Sequence, residues 1–148
     1  MRISKIIIGL TLSLLLGSGV AIAADFNKGL EAAQSGDFKT ALAEWTPLAE
    51  QGDAVSQYNL GIMYDNGRGV PENDKTAVKW YTKAAEQGDI DAQYNLGVMH
   101  ANGEGVLTDN RRAYMWYNLG SYNGNEIGGE NKDNIAKQMT PADISKAQ

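Results

Sequence analysis

Cysteine is missing from all 148 residues, and histidine occurs once, at position 100. That excludes a disulfide framework, a thiolate nucleophile, a Cys/His zinc site and the acylated cysteine of a lipoprotein. No Ser-x-x-Lys occurs, so a serine nucleophile with a neighbouring lysine base has no candidate. Cations are scarce too: 13 Lys and Arg face 18 Asp and Glu, with no basic cluster or stripe. Holding nucleic acid needs clustered cationic side chains that release phosphate counterions, so the expected partners do not include a polyanion.

What is present begins with a leader. Met1–Lys5 is basic, Ile6–Leu16 is an apolar run of 11 residues, and Gly17, Ser18 and Gly19 break it before Ala21-Ile22-Ala23. As a helix the run rises about 16 Å, roughly half the hydrocarbon core, which is too short for an anchor. The small residues Ala21 and Ala23 suit signal-peptidase pockets. Residues 1–23 therefore read as a signal peptide cut after Ala23, and a periplasmic or secreted chain is expected. Losing Arg2 and Lys5 leaves 11 cationic against 18 acidic side chains, a formal balance of −7. No second apolar stretch follows, so no membrane span is expected after cleavage.

Internal repetition sets the fold class. Shifting residues 50–85 by 36 onto 86–121 superposes EQGDAVSQYNLGIMYDNGRGVPENDKTAVKWYTKAA on EQGDIDAQYNLGVMHANGEGVLTDNRRAYMWYNLGS, with 17 of 36 positions identical. Each unit reads as two helices. Asp53 and Asp89 are placed to cap a first helix, with Gly67 and Gly103 as its left-handed end; Asn73 and Asp109 are placed to cap a second, which stops before Gly88 and Gly124. Apolar residues recur at helical spacing on each. On the first helices they are Leu60, Met63 and Tyr64, with Leu96, Met99 and His100 as equivalents. On the second they are Ala77, Trp80, Tyr81 and Ala84, matched by Ala113, Trp116, Tyr117 and Gly120. Mid-helix Gly61 and Gly97 imply close helix contact, with Ala77 and Ala113 the expected opposing small residues. One hairpin cannot close a core, so neighbours must stack.

The flanks fit atypical end units. Residues 24–49 read as an N-terminal hairpin with a shorter link, and residues 122–148 as capping helices, one over Glu126–Met139 and a last one starting at Thr140-Pro141.

The pattern Q-Y-N-L-G-x-M-x-x-N-G-x-G-V, at Gln57–Val70 and again within Ala92–Val106, with A-x-x-W-Y following, resembles Sel1-like repeats, relatives of the tetratricopeptide repeat. The unit with Gly29, Gly36, Asp37, Phe38 and Ala41 is similar to a tetratricopeptide repeat proper. The resemblance implies an all-α fold, an α-solenoid of antiparallel hairpins in a right-handed superhelix, and an adaptor that binds a protein or peptide.

In such stacks the first helices line the concave side. The residues left over from the packing stripe then face a groove: Val55, Tyr58, Asn59 and Ile62, and Asp91, Tyr94, Asn95 and Val98. Tyrosine offers rigid apolar area with a polar tip. Asparagine offers the donor and acceptor that an extended backbone needs. In tetratricopeptide relatives the asparagine before Leu-Gly holds a peptide main chain, which the resemblance extends to Asn59 and Asn95; the other reading is that both tie neighbouring helices together. No catalytic residue, metal ligand or cofactor site is expected. His100 replaces Tyr64 and reads as structural, and the G-x-G loops at Gly67 and Gly103 read as turns rather than phosphate cradles. Because some cysteine-rich relatives are described as penicillin-binding or β-lactamase-like, an envelope hydrolase or glycan-binding protein is the alternative. Self-association that lengthens a short groove is a further expectation.

Overall fold

The structure, a computed structural model, describes residues 24–148, and the leader expected over residues 1–23 lies outside them. Among the described residues there are eight α-helices and no strand. The first hairpin is α1 (Phe26–Ser35) and α2 (Phe38–Glu50); the second is α3 (Ala54–Asp65) and α4 (Asp74–Glu86). The third is α5 (Ile90–Asn102) and α6 (Asn110–Tyr122), and α7 (Glu126–Ala136) and α8 (Pro141–Ala147) close the chain. Each helix from α1 to α6 packs on the next; α3 also meets α5, α5 meets α7, and α8 folds back on α6. This is an all-α solenoid.

Short polar side chains start the helices. Asp53 accepts from the Ser56 amide at 2.7 Å, Asn73 from Thr76 at 2.9 Å and Asp89 from Ala92 at 2.8 Å. Asp109 accepts from Arg111 and Arg112. Each such cap is worth about 1 kcal/mol. Thr140 and Asp143 satisfy one another at α8, with Pro141 in its first turn.

Three local expectations change. Helix α5 ends on left-handed Gly103, but α3 ends one residue sooner on Asn66, with φ −104°, and Gly67 follows with φ 63°. Helix α7 stops at Ala136 rather than Met139: Gln138 and Met139 donate to carbonyls three residues back, a tightening turn ahead of the extended Thr140 that Pro141 demands. The residues opposite Gly61 and Gly97 are also not the alanines. A Cβ on either glycine would come within 2.4 Å of the Tyr81 or Tyr117 ring, and one on Gly29 within 2.5 Å of Trp45. The missing methyl makes room for an aromatic ring.

The core follows the helical stripes. Leu60, Met63, Leu96 and Met99 are fully enclosed with Ala77, Ala84, Ala85, Ala92 and Tyr81, whereas Trp80 and Trp116 are only half-buried. Buried amides join the hairpins. Gln57 donates to the Ala49 carbonyl at 2.9 Å and Gln93 to Ala85 at 3.1 Å; each in turn accepts from the end of the following second helix, from Gln87 at 2.7 Å and from Asn123 at 3.1 Å. The loop glycines are inter-hairpin contacts as well. Gly69 lies against the Phe38 backbone and Gly105 against Asp74, both with positive φ and no space for a side chain.

Candidate interaction groove

The row of first helices carries one aromatic pair per hairpin. Phe26 meets Trp45 with ring centroids 5.9 Å apart, Tyr58 meets Tyr81 at 5.9 Å and Tyr94 meets Tyr117 at 6.0 Å, all tilted. Each pair sits above the small residue of its hairpin, so glycine on one helix sets the ring height on the other. Beside the rings runs a column of asparagines 36 residues apart: Asn59, Asn95 and Asn131.

The column does not behave uniformly. The Asn95 amide lies near the Tyr58 and Tyr81 hydroxyls and opposes the rise of their pKa, and Asn131 does the same for Tyr117. Burial pushes the Tyr81 hydroxyl well above the usual phenol range, helped by the Asp65 carboxylate that accepts from it at 3.1 Å and opposed by Asn95. Tyr117 is pushed up to about 12, chiefly by burial and then by Tyr94, with Asn131 opposing. Burial likewise raises Asp65, against the hydroxyl of Tyr81 and with Glu104, Asp74 and Glu72 adding. These phenols stay protonated and donate at neutral pH. Asn59 has no such phenol beside it: the counterpart of Tyr81 is Trp45, whose indole N–H donates to the Phe26 carbonyl.

Two cavities open along the row. The N-terminal one, about 220 Å³, lies between α1, α2 and α3 and is lined by Leu30, Phe38, Trp45, Asn59, Ile62 and Arg68 among others. The C-terminal one, about 360 Å³, lies between α5, α6 and α7, with Tyr94, Val98, Tyr117, Asn131 and Ile135. Of the sequence-predicted residues, Asn59 and Ile62 therefore line one cavity and Tyr94 and Val98 the other. Tyr58 and Asn95 lie at the junction between them and line neither. Val55 and Asp91 are exposed and border neither. Asn131, Trp45 and Arg68 were not among the expected groove residues, although Asn131 follows Asn95 at the same 36-residue step.

Chemistry has little to work with elsewhere. Among the described residues no group of three or more His, Cys, Asp or Glu is placed to hold a metal ion, and no helix is long and apolar enough to cross a membrane. His100 is buried, its Nδ1 without a partner, and its pKa is lowered by burial and by Arg112 against the pull of Asp109. It borders a cavity of about 410 Å³ with Val106, Thr108 and Arg112. Another, about 570 Å³, is formed by α4 with Tyr64 and holds none of the predicted residues.

Comparison with known proteins places this geometry. A family model described as the Sel1 repeat matches residues 54–89 and 90–125. No curated protein shows a significant match. Among solved structures the chain is similar to c5321, a protective antigen present in uropathogenic Escherichia coli strains displaying an SLR fold. That match has TM-score 0.77 and 32% identity, and covers 82% of this chain and 27% of that one. It is similar to a Sel1 repeat protein from Oxalobacter formigenes, TM-score 0.70 at 29% identity, over 73% of this chain and 44% of that one. Helicobacter pylori cysteine rich protein B matches with TM-score 0.58 and 19% identity over 70% of this chain and 89% of that one, a likeness of fold alone. The chain thus spans less than half the length of the first two structures.

Proposed function

Since the chain is a Sel1-repeat protein, and such stacked hairpins generally serve protein–protein interaction, we propose that it is an exported interaction module holding a protein or peptide segment along its row of first helices. The observation that carries this is the paired cavities at the two ends of that row, each combining an aromatic ring, aliphatic side chains and an asparagine amide. Apolar area with a few fixed polar groups is what a recognition site needs, and an amide matches the alternating N–H and C=O of an extended chain. Export rests on the leader pattern of residues 1–23 and places the partner in the periplasm or outside the cell.

The test is crosslinking in the native envelope, followed by pull-down with variants of each cavity. Asn59→Ala and Val98→Lys should each reduce recovery of the same partner, Asn59→Ala by about 1 to 2 kcal/mol, roughly five- to thirtyfold, with helical content unchanged. Recovery insensitive to both, or nitrocefin turnover by the pure mature chain, would overturn the proposal in favour of another face or of hydrolysis.

A further inference from the structure

The N-terminal junction of the row departs from the middle one at three positions that share a register. Where the second and third hairpins present the Tyr81 and Tyr117 hydroxyls, the first presents Trp45, whose indole N–H donates to the Phe26 carbonyl at 3.3 Å. Asn59 therefore faces no phenol, and its amide is left with both a donor and an acceptor to offer. Where the second hairpin places Asp65, the first places Ala33, which leaves the cavity floor apolar. Where the third hairpin's loop carries Glu104, the second's carries Arg68. Arg68 lines the cavity, lies 5.7 Å from the Phe38 ring centroid, and pairs with no carboxylate among the described residues. An unpaired guanidinium is conspicuous in an acidic chain.

We propose that this junction is the specificity pocket of the groove: it takes one large apolar side chain of an extended partner segment whose next one or two residues include Asp or Glu. The proposal rests on the groove reading above. Leu30, Ala33, Phe38, Trp45, Ile62 and Met63 enclose about 220 Å³, and an apolar cavity of about 150 Å³ already accommodates a benzene ring, so a leucine, methionine or phenylalanine side chain fits. Asn59 at the rim holds the main chain of the inserted residue. Arg68 supplies a planar fork of donors, the geometry a carboxylate accepts in two parallel hydrogen bonds. The middle junction carries Asp65 and Glu104 where this one has Ala33 and Arg68, so it presents the opposite charge to the same acidic residue, and the segment enters in one register only.

The probe is a phage library of random dodecamers joined to the coat protein through their C-terminal ends, so that no free terminal carboxylate is offered. Selected on the immobilised mature chain, it should enrich a large apolar residue with Asp or Glu one or two positions later. A synthetic peptide of that sequence should bind Arg68→Glu at least tenfold more weakly, and reselection on this variant should exchange the acid for Lys or Arg. Asn59→Ala should weaken binding five- to thirtyfold without changing the motif. Circular dichroism of each variant checks that the helices remain. A motif indifferent to Arg68→Glu and Asn59→Ala but lost in Val98→Lys would overturn this placement and leave the groove reading standing. The absence of any motif that groove substitutions alter would overturn both. A concentration-dependent dimer of the mature chain that Arg68→Glu dissolves would assign the pocket to a second copy instead, and that too overturns the proposal.

Discussion

Two effects of opposite sign meet at Gly97. Alanine gains about 1 kcal/mol of helix propensity over glycine, but a Cβ there would lie 2.4 Å from the Tyr117 ring, and overpacking a core costs about 1 to 3 kcal/mol. The ring is buried and lies tilted against Tyr94, so it has little freedom to swing, and the clash outweighs propensity. Gly97→Ala should therefore lower the urea midpoint, while Arg68→Ala on its exposed loop should change stability by less than about 0.5 kcal/mol; a midpoint that rises would mean α5 and α6 separate freely. The lone histidine gives a second test at this scale. Because burial lowers the pKa of His100, the folded chain takes up that proton less readily than the unfolded chain, whose imidazole titrates near 6.5. Its contribution is level above that value, and stability falls as pH drops from there through the lowered folded value. His100→Tyr restores the residue that α3 carries at Tyr64, and should flatten the fall in Tm between about pH 7 and 5. An equal fall in both proteins would place the imidazole in water.

On α6 one face shows what the hairpin does not require. Met115, Leu119 and Tyr122 are exposed, and the preceding hairpin has Lys79, Lys83 and Glu86 at the same three positions. The fold already accepts charge there. Exchanging all three for Lys, Lys and Glu should leave each site within about 0.5 kcal/mol of neutral, measured by chemical denaturation; a large loss would show that α8 leans on this face. The same comparison of hairpins explains what was legible in advance. Caps such as Asp53 and Asp109 bond amides two or three residues away, so their role is written locally. Core stripes follow from a period of 3.6. Gln57 and Gln93 were passed over because their partners, the Ala49 and Ala85 carbonyls, belong to other helices, although their identity at a 36-residue step was a visible signal. The aromatic partner of Gly61 and Gly97 was missed for a related reason: which residue faces a helical glycine depends on the crossing of two helices, and two positions of one stripe, Ala77 and Tyr81, compete for it. Asn59 and Asn95 stand in the same five-residue motif, so nothing within the motif separates them. The difference lies in Trp45 against Tyr81, which stand at the same 36-residue step, but that these residues lie beside the asparagines of the next hairpin depends on the stacking of the helices.

At the scale of the molecule, stability in a stack is close to a sum of hairpins and the interfaces between neighbours, so a repeated residue acts according to its junction. Export is the simplest whole-chain test: protein recovered from the native envelope should begin at Ala24, since 11 apolar residues do not span a bilayer, and terminal sequencing that finds Met1 would remove the leader from the argument. The two asparagines test the junctions themselves. Asn95 lies near the Tyr58 and Tyr81 hydroxyls in the middle junction; truncating it removes an amide from beside partly buried phenols, an expected loss of about 1 kcal/mol. For a chain of this size that lowers Tm by roughly 3 to 5 °C. Asn59 makes no hydrogen bond within the stack, so Asn59→Ala should melt within about 1 °C of the parent, a shift below the 0.5 kcal/mol of an ordinary surface change. Thermal melting of the two variants by circular dichroism decides the matter. Equal losses would make both residues scaffold and move the binding face away from the N-terminal junction, whereas a loss confined to Asn95→Ala leaves the Asn59 amide free for a ligand.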